Sequence, residues 1–169
     1  ARSYNSCVDL RQICRSALAR DAFLTTDNRQ IMAAAITADT LLPWHAAAWQ
    51  RLAAGAQRGQ IAHALLIHGE GGLHKLLLGR QIGQGLLCER PVAARACGQC
   101  RGCLLYLSGN HPDWVEVFPV DSAVIKIDQI RELSARLSMR PQIASRQVAL
   151  LWPAEQMNAA SANALLKTL

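Results

Sequence analysis

Four cysteines constrain this chain more than any other feature: Cys88, Cys97, Cys100 and Cys103. The last three follow a C-x-x-C-x-x-C pattern, and Cys88 stands upstream of them. Two residues between thiolates let both sulfurs reach one tetrahedral ion from a tight turn, and Gly98 and Gly102 give that turn its freedom. Arg90, Arg95 and Arg101 lie among them and favour thiolate over thiol. Four sulfurs select zinc, or less often an iron–sulfur cluster. They leave no open position for water, so the expected zinc is structural. The competing readings are four unligated thiols and a redox C-x-x-C pair; the redox pair leaves Cys88 and one further thiol without a role.

Compartment bears on that choice. No apolar run approaches the roughly 18–20 residues that span a bilayer, and the N-terminus lacks the unbroken apolar core of a secretory signal. The chain is therefore expected to be cytoplasmic, without a membrane partner, where cysteines are thiols or metal ligands rather than disulfides. With 169 residues, 51% hydrophobic and 18% charged, it suits one globular domain, alone or with a short appendage. The net charge of +6 is spread along the sequence. It permits contact with nucleic acid or an acidic partner and requires neither.

Residues 1–40 carry Cys7, Cys14, scattered arginines and an alanine-rich stretch with no clear period, and are left as an unassigned extension. From Leu41 onward the pattern sharpens. Pro43 suits a first helical turn, and Trp49, Leu52, Ala53 and Ala56 recur at helical spacing. HALLIH, residues 63–68, reads as a buried strand; a glycine turn and a helix through KLLLGRQIGQGLLC follow, the helix weakened by Gly79, Gly83 and Gly85. After the cysteine segment 88–103, LLYLSG continues as a short helix, and His111, Pro112 and Asp113 form a turn in which His111 is read as turn-forming rather than as a metal ligand. WVEVFPV is expected as a strand, Asp128 as the cap of a helix running through Leu137, residues 147–151 as a second buried strand, and Asn158 as the cap of a last helix. Trp44, Trp49, Trp114 and Trp152 form no aromatic ladder for bases and are read as packing residues, as are Met157 and Leu165. Strand and helix alternate, which predicts an α/β fold with a parallel sheet flanked by helices.

The segment HALLIHGEGGLHK sits where strand, glycine turn and helix meet. A working P-loop reads G-x-x-x-x-G-K-[ST]: its amides cradle phosphates, its lysine reaches them and its hydroxyl holds magnesium. Here Gly69 and Lys75 match, Gly71 and Gly72 lie within the loop, His74 replaces the second glycine, and Leu76 replaces the hydroxyl residue. Lys75 itself is read as a solvated lysine at a helix start rather than a phosphate ligand. The second half of such a site is an apolar strand ending in carboxylates. Residues 148–151 supply the strand, but Trp152 and Pro153 follow it, with Glu155 further on. A degenerate nucleotide loop with weak or absent ATP binding and no catalytic residues is the expectation.

These features occur together and in order in the clamp-loader subunits of bacterial DNA polymerase III. HALLIHGEGGLHK resembles their P-loop segment, CGQCRGC their zinc module, SGNHPDWVEVFP the segment after it, and ASANALLKTL the helix after the second ATPase motif. The resemblance runs over about residues 42–169. With neither an intact loop nor an Asp-Glu pair, the chain resembles the delta-prime family within that group. The resemblance implies a P-loop NTPase fold of the AAA+ type over residues 41–169, truncated at its C-terminal end, with an inserted four-cysteine zinc module at 88–103. It implies a non-hydrolysing role in loading the sliding clamp onto primed DNA, beside the motor (gamma/tau) and delta subunits. The alternatives are an active ATPase of the same loader and a stand-alone zinc module that binds nucleic acid.

Overall fold

Residues 6–9, 41–120 and 122–168 are described by the structure, a computed structural model. Strand β1 (Ser6–Asp9) falls in the extension to which the sequence assigned no element; the other expectations for residues 1–40, Cys14 and the alanine-rich stretch among them, lie outside the described residues. A 3-10 turn, Pro43–His45, leads into α1 (Ala46–Gln57), then β2 (Leu65–His68), α2 (Lys75–Leu87), α3 (Arg101–Leu107), β3 (Trp114–Val117), α4 (Ile127–Leu137), β4 (Val148–Leu151), a 3-10 turn Ala154–Gln156, and α5 (Ala159–Leu166). No helix is long and apolar enough to cross a membrane among the described residues.

Both strand pairings are parallel, as the alternation of strands and helices predicts. Among the described residues they make two pairs rather than one continuous sheet: β1 on β2, with Ser6 opposite Leu65, and β3 on β4, with Trp114 opposite Val148. The strands are shorter than the apolar runs that announced them. HALLIH contributes only Leu65–His68, and WVEVFPV only Trp114–Val117.

Helix α2 joins the two pairs. Its glycines, which weaken it as an isolated helix, are the points of closest approach. A Cβ on Gly79 would lie 2.9 Å from Leu150 Cδ1, and one on Gly83 would lie 2.2 Å from Trp114 Cζ3. Between these glycines Arg80 forms a bidentate pair with Glu116 of β3, at 2.8 and 3.0 Å, and its guanidinium lies over the Phe118 ring. The Tyr106 hydroxyl of α3 donates to the Arg80 carbonyl at 3.1 Å. One core cluster lies between α1 and α2 (Ala48, Trp49, Leu73, Leu78, Ile82); another gathers Val117, Ile125, Ile130 and Leu133 with Met157 and Leu165 against it. Leu52 and Ala53 pack on the first cluster, as the helical spacing of α1 predicts.

The cap of α4 differs from expectation. Lys126, not Asp128, is the N-cap: its backbone is extended, and its N–H donates to Gln129 Oε1 at 2.9 Å. Asp128 lies inside the first turn, where a carboxylate suits the helix dipole, and accepts from Arg131 at 3.1 Å. The register is fixed by burial, since Ile130 and Leu133 must both face the core. Asn158 does cap α5, accepting from the Ser161 N–H at 2.8 Å.

Candidate metal centre and the glycine loop

The four cysteines converge from three local structures. Cys88 terminates α2 in extended backbone, Cys97 follows a small hairpin, Cys100 is the N-cap of α3, and Cys103 lies in the first turn of α3. Their sulfurs all lie within 4.8 Å of one another, with Cys88 to Cys100 at 3.9 Å and Cys97 to Cys103 at 4.0 Å. Four thiolates around one tetrahedral ion at about 2.3 Å stand about 3.8 Å apart, so the cluster fits a single ion. Backbone donors are aimed at three of the sulfurs: Arg90 and Cys97 donate to Cys88, Cys100 donates to Cys97, and Cys103 donates to Cys100, all at 3.3–3.4 Å. Such donors stabilise thiolates without competing for the metal-facing lone pairs.

Electrostatics divides the set. Backbone N–H groups of Gln99 and Cys100 push the half-exposed Cys97 down to about 6. Burial, the largest influence on Cys88 and Cys103, pushes both of those thiols up. Four thiolates this close together repel one another and call for a countercharge. A divalent cation at their centre would supply it, because a bound cation deprotonates a coordinating thiol outright.

The segment between Cys88 and Cys97 is held by features with no sequence signal. Val92 and Arg95 pair across a two-residue turn, Ala93 and Ala94, with φ of 48° and 64°. Both central residues of such a turn need positive φ, a place usually given to Asn-Gly. Trp49 of α1 holds the strained turn by donating its indole N–H to the Ala93 carbonyl at 3.1 Å. From below, α2 closes against it so tightly that a Cβ on Gly85 would lie 2.0 Å from the Ala94 oxygen. Ala93 is exposed and contributes no buried methyl. Ala93→Gly is therefore expected to raise stability by about 0.5–1 kcal/mol, read as a higher denaturant midpoint with unchanged slope.

His111 stays outside the cysteine cluster. Its Nδ1 accepts from the Asp113 N–H at 3.1 Å, a turn-forming contact, and burial lowers its pKa against the opposing pull of the Asp113 carboxylate. Asp113 is 1% exposed and was read from sequence only as part of a turn. Its carboxylate accepts three consecutive N–H groups, from Gln142 at 2.6 Å and from Ile143 and Ala144 at 2.8 Å.

The glycine loop between β2 and α2 is filled by its own lysine. Lys75 Nζ donates to the carbonyls of Gly69 at 3.0 Å and Glu70 at 2.7 Å, and lies over the Trp152 ring, 5.9 Å from its centroid. Lys75 is thus tied down rather than solvated at a helix start. The loop's outer wall is fixed as well: the Leu73 carbonyl accepts from Trp44 Nε1 at 3.3 Å and from His45 Nε2 at 2.7 Å. His45 is fully buried, and desolvation lowers its pKa, so the ring is the neutral Nε2–H form. His74, where a P-loop has its second glycine, adopts left-handed backbone at φ 52° and caps α2 without a side-chain bond. Gly72 is left-handed too, at φ 80°. Gly71 is exposed, with open space where a side chain would begin. The strand that should be followed by carboxylates is followed instead by Trp152 and Pro153, and Glu155 is exposed in the next turn.

Comparison with known proteins follows the same features. The sequence profile of the family described as "DNA polymerase III, delta subunit" matches residues 44–169. The chain is 42% identical to the DNA polymerase III subunit delta' of Pseudomonas aeruginosa over 130 residues, 76% of this chain and 39% of that protein. It is 34% identical to the subunit delta' of Escherichia coli K12 over 128 residues, 75% of this chain and 38% of that protein. The tau/gamma subunit of Haemophilus influenzae is 32% identical over 118 residues, 70% of this chain and 17% of that protein. The chain thus spans about two fifths of the length of the delta' relatives it matches. On the strength of the match over residues 44–169, the chain belongs to the DNA polymerase III delta subunit family.

Proposed function

We propose that this chain is the AAA+-type first domain of a delta-prime clamp-loader subunit, a non-hydrolysing partner in loading the sliding clamp onto primed DNA. Its partners are the motor (tau/gamma) and delta subunits, and its Cys88, Cys97, Cys100 and Cys103 hold one structural zinc. The observation that carries the reading is the fate of Lys75. In an ATPase that ammonium meets phosphate; here two loop carbonyls and the Trp152 face take it. Leu76 offers no hydroxyl for magnesium, and no carboxylate follows β4 directly. The delta' relatives support the same reading.

Losing one electrostatic stabiliser of a transition state costs about 2.7–4 kcal/mol of barrier, so losing several leaves little rate above background. Steady-state phosphate release with magnesium-ATP is expected to stay at the buffer level. Turnover near that of ordinary P-loop ATPases, abolished by Lys75→Ala, would replace this reading with the active-ATPase one. The clamp-loading role is tested by exchanging residues 41–169 for the matching segment of the Pseudomonas aeruginosa delta' protein. A chimera that still supports loading of a clamp onto primed DNA is expected; an inert but folded chimera counts against the role.

Zinc is favoured over an iron–sulfur cluster by the sulfur spacing, since ligands of a multi-iron cluster stand further apart than those of one ion. Gly69, Gly71, Gly72 and Lys75 remain as the outline of a nucleotide loop.

A further inference from the structure

We infer that the cysteine centre and the loop formed by residues 142–144 open and close as one unit, joined by the buried turn of His111, Pro112 and Asp113. His111 and Asp113 act in it as positioning residues. The inference rests on the reading of the cysteine cluster as a metal site.

The connection begins in the first turn of α3, which carries Cys103 and is capped by Cys100. Gly102 lies between them. A Cβ there would lie 2.8 Å from the Leu87 carbonyl oxygen and 3.6 Å from His111 Nε2, so the imidazole sits flush against this turn. The ring is 5% exposed. Its Nδ1 accepts from the Asp113 N–H, which leaves the proton on Nε2, and Nε2 has no hydrogen-bond partner among the described residues. Packing on Gly102, rather than a second hydrogen bond, therefore sets the ring's position. If the first turn of α3 shifts, His111 loses its seat, and the bond to the Asp113 backbone goes with it.

Asp113 carries the effect onward. Its carboxylate is the acceptor for the N–H groups of Gln142, Ile143 and Ala144, and its carbonyl accepts from Val148, the first residue of β4, at 2.9 Å. Residues 141–146 form neither helix nor strand, so these three amides depend on one side chain. A carboxylate that satisfies three donors together loses them together, which makes the loop a local opening unit. Because the metal closes α3 and α3 seats His111, metal binding and loop closure must favour each other, and the coupling acts equally in both directions.

Hydrogen exchange on the whole chain tests this, with the thiols kept reduced and the protein either loaded with one zinc or stripped by chelator. The amides of Gln142, Ile143 and Ala144 are expected to exchange at least about tenfold faster in the stripped protein, while those of Ile130 and Leu133 in α4 keep their rates. By reciprocity, Asp113→Asn is expected to weaken zinc affinity about tenfold while the cobalt-substituted protein keeps a four-thiolate spectrum. If that variant fails to fold, the stripping experiment decides alone. A chain that binds zinc but shows unchanged loop exchange on stripping overturns the coupling and leaves the metal site standing. A uniform acceleration that includes α4 also overturns it, since the link would not be local. A chain that binds no metal overturns the metal reading and the coupling together.

Discussion

Replacing Cys103 with serine is expected to abolish stoichiometric metal binding and to lower stability by about 3–5 kcal/mol, part of the roughly 10–16 kcal/mol that four-ligand zinc binding supplies to small domains. The size follows from what the centre holds. Cys103 is 1% exposed, and its neighbours Cys88 and Cys100 are also buried. Without a cation, burial opposes the ionisation of Cys88 and Cys103. The strained Ala93-Ala94 turn, closed partly by the chain returning to Cys97, would then lose one of its anchors. Chelation of the unmodified protein should reproduce the loss, and zinc, but not magnesium, should reverse it. Metal content by elemental analysis and unfolding by denaturant are the measurements. Less than about 0.2 equivalent of metal in protein purified without chelator would show that the cluster is not a resident site, because a closed structural site fills on folding. Thiol reagents give an independent reading, with all four sulfurs protected when metal is present and Cys97, the half-exposed one, the first to react when it is absent.

Asp113→Asn is expected to cost about 2–4 kcal/mol, because an amide oxygen cannot replace two buried carboxylate oxygens serving three partly buried N–H groups, and an unsatisfied buried polar group costs about 1–3 kcal/mol. The change also has a pH signature. Burial alone would raise the carboxyl pKa, but the N–H groups of Ala144, Gln142 and Ile143 outweigh it and hold it below the ordinary carboxylate range. A carboxyl whose folded pKa is depressed contributes stability that is present above its unfolded pKa, near 4, and is lost as pH falls through the folded value. The unmodified protein should therefore lose stability more steeply than the variant as pH drops below about 4, and the two curves should converge in acid. Denaturant midpoints taken across that window give the difference directly, and parallel curves would show that Asp113 does not carry its charge into the fold.

Local chemistry was legible in the sequence, and contacts across the fold were not. The cysteine cluster could be read because two-residue spacings act within a single turn, and the structure brings those four sulfurs together. Asn158 could be read as a cap for the same reason. Asp128 misled because its preference for caps is a tendency of the residue, whereas the start of α4 is set by which isoleucine and leucine must be buried. Leu76 and His74 announced a damaged phosphate loop, but nothing in the order of residues says that Lys75 would turn back onto Gly69 and Glu70 beneath a tryptophan far along the chain. Ala-Ala at a two-residue hairpin turn carries no signal at all; the indole of Trp49 and the missing side chain of Gly85 impose it from outside.

The glycines of α2 also bear on the order in which the chain folds. Each costs a helix interior about 1 kcal/mol relative to alanine, and Gly79, Gly83 and Gly85 stand within thirteen residues. A helix of that length is marginal in water even with good formers, so α2 has almost no existence as an isolated element. Its three closest approaches are to Leu150, Trp114 and the Ala94 carbonyl, all later in the chain. The helix at the head of the glycine loop packs on α1, which precedes it, but its glycine face is completed only by residues made after it. Docking of that face onto Trp114 and Leu150 closes long loops, which adds to the entropy of the barrier and slows the search. Alanine at these positions would speed helix nucleation in the unfolded chain and block the docking that makes the helix useful.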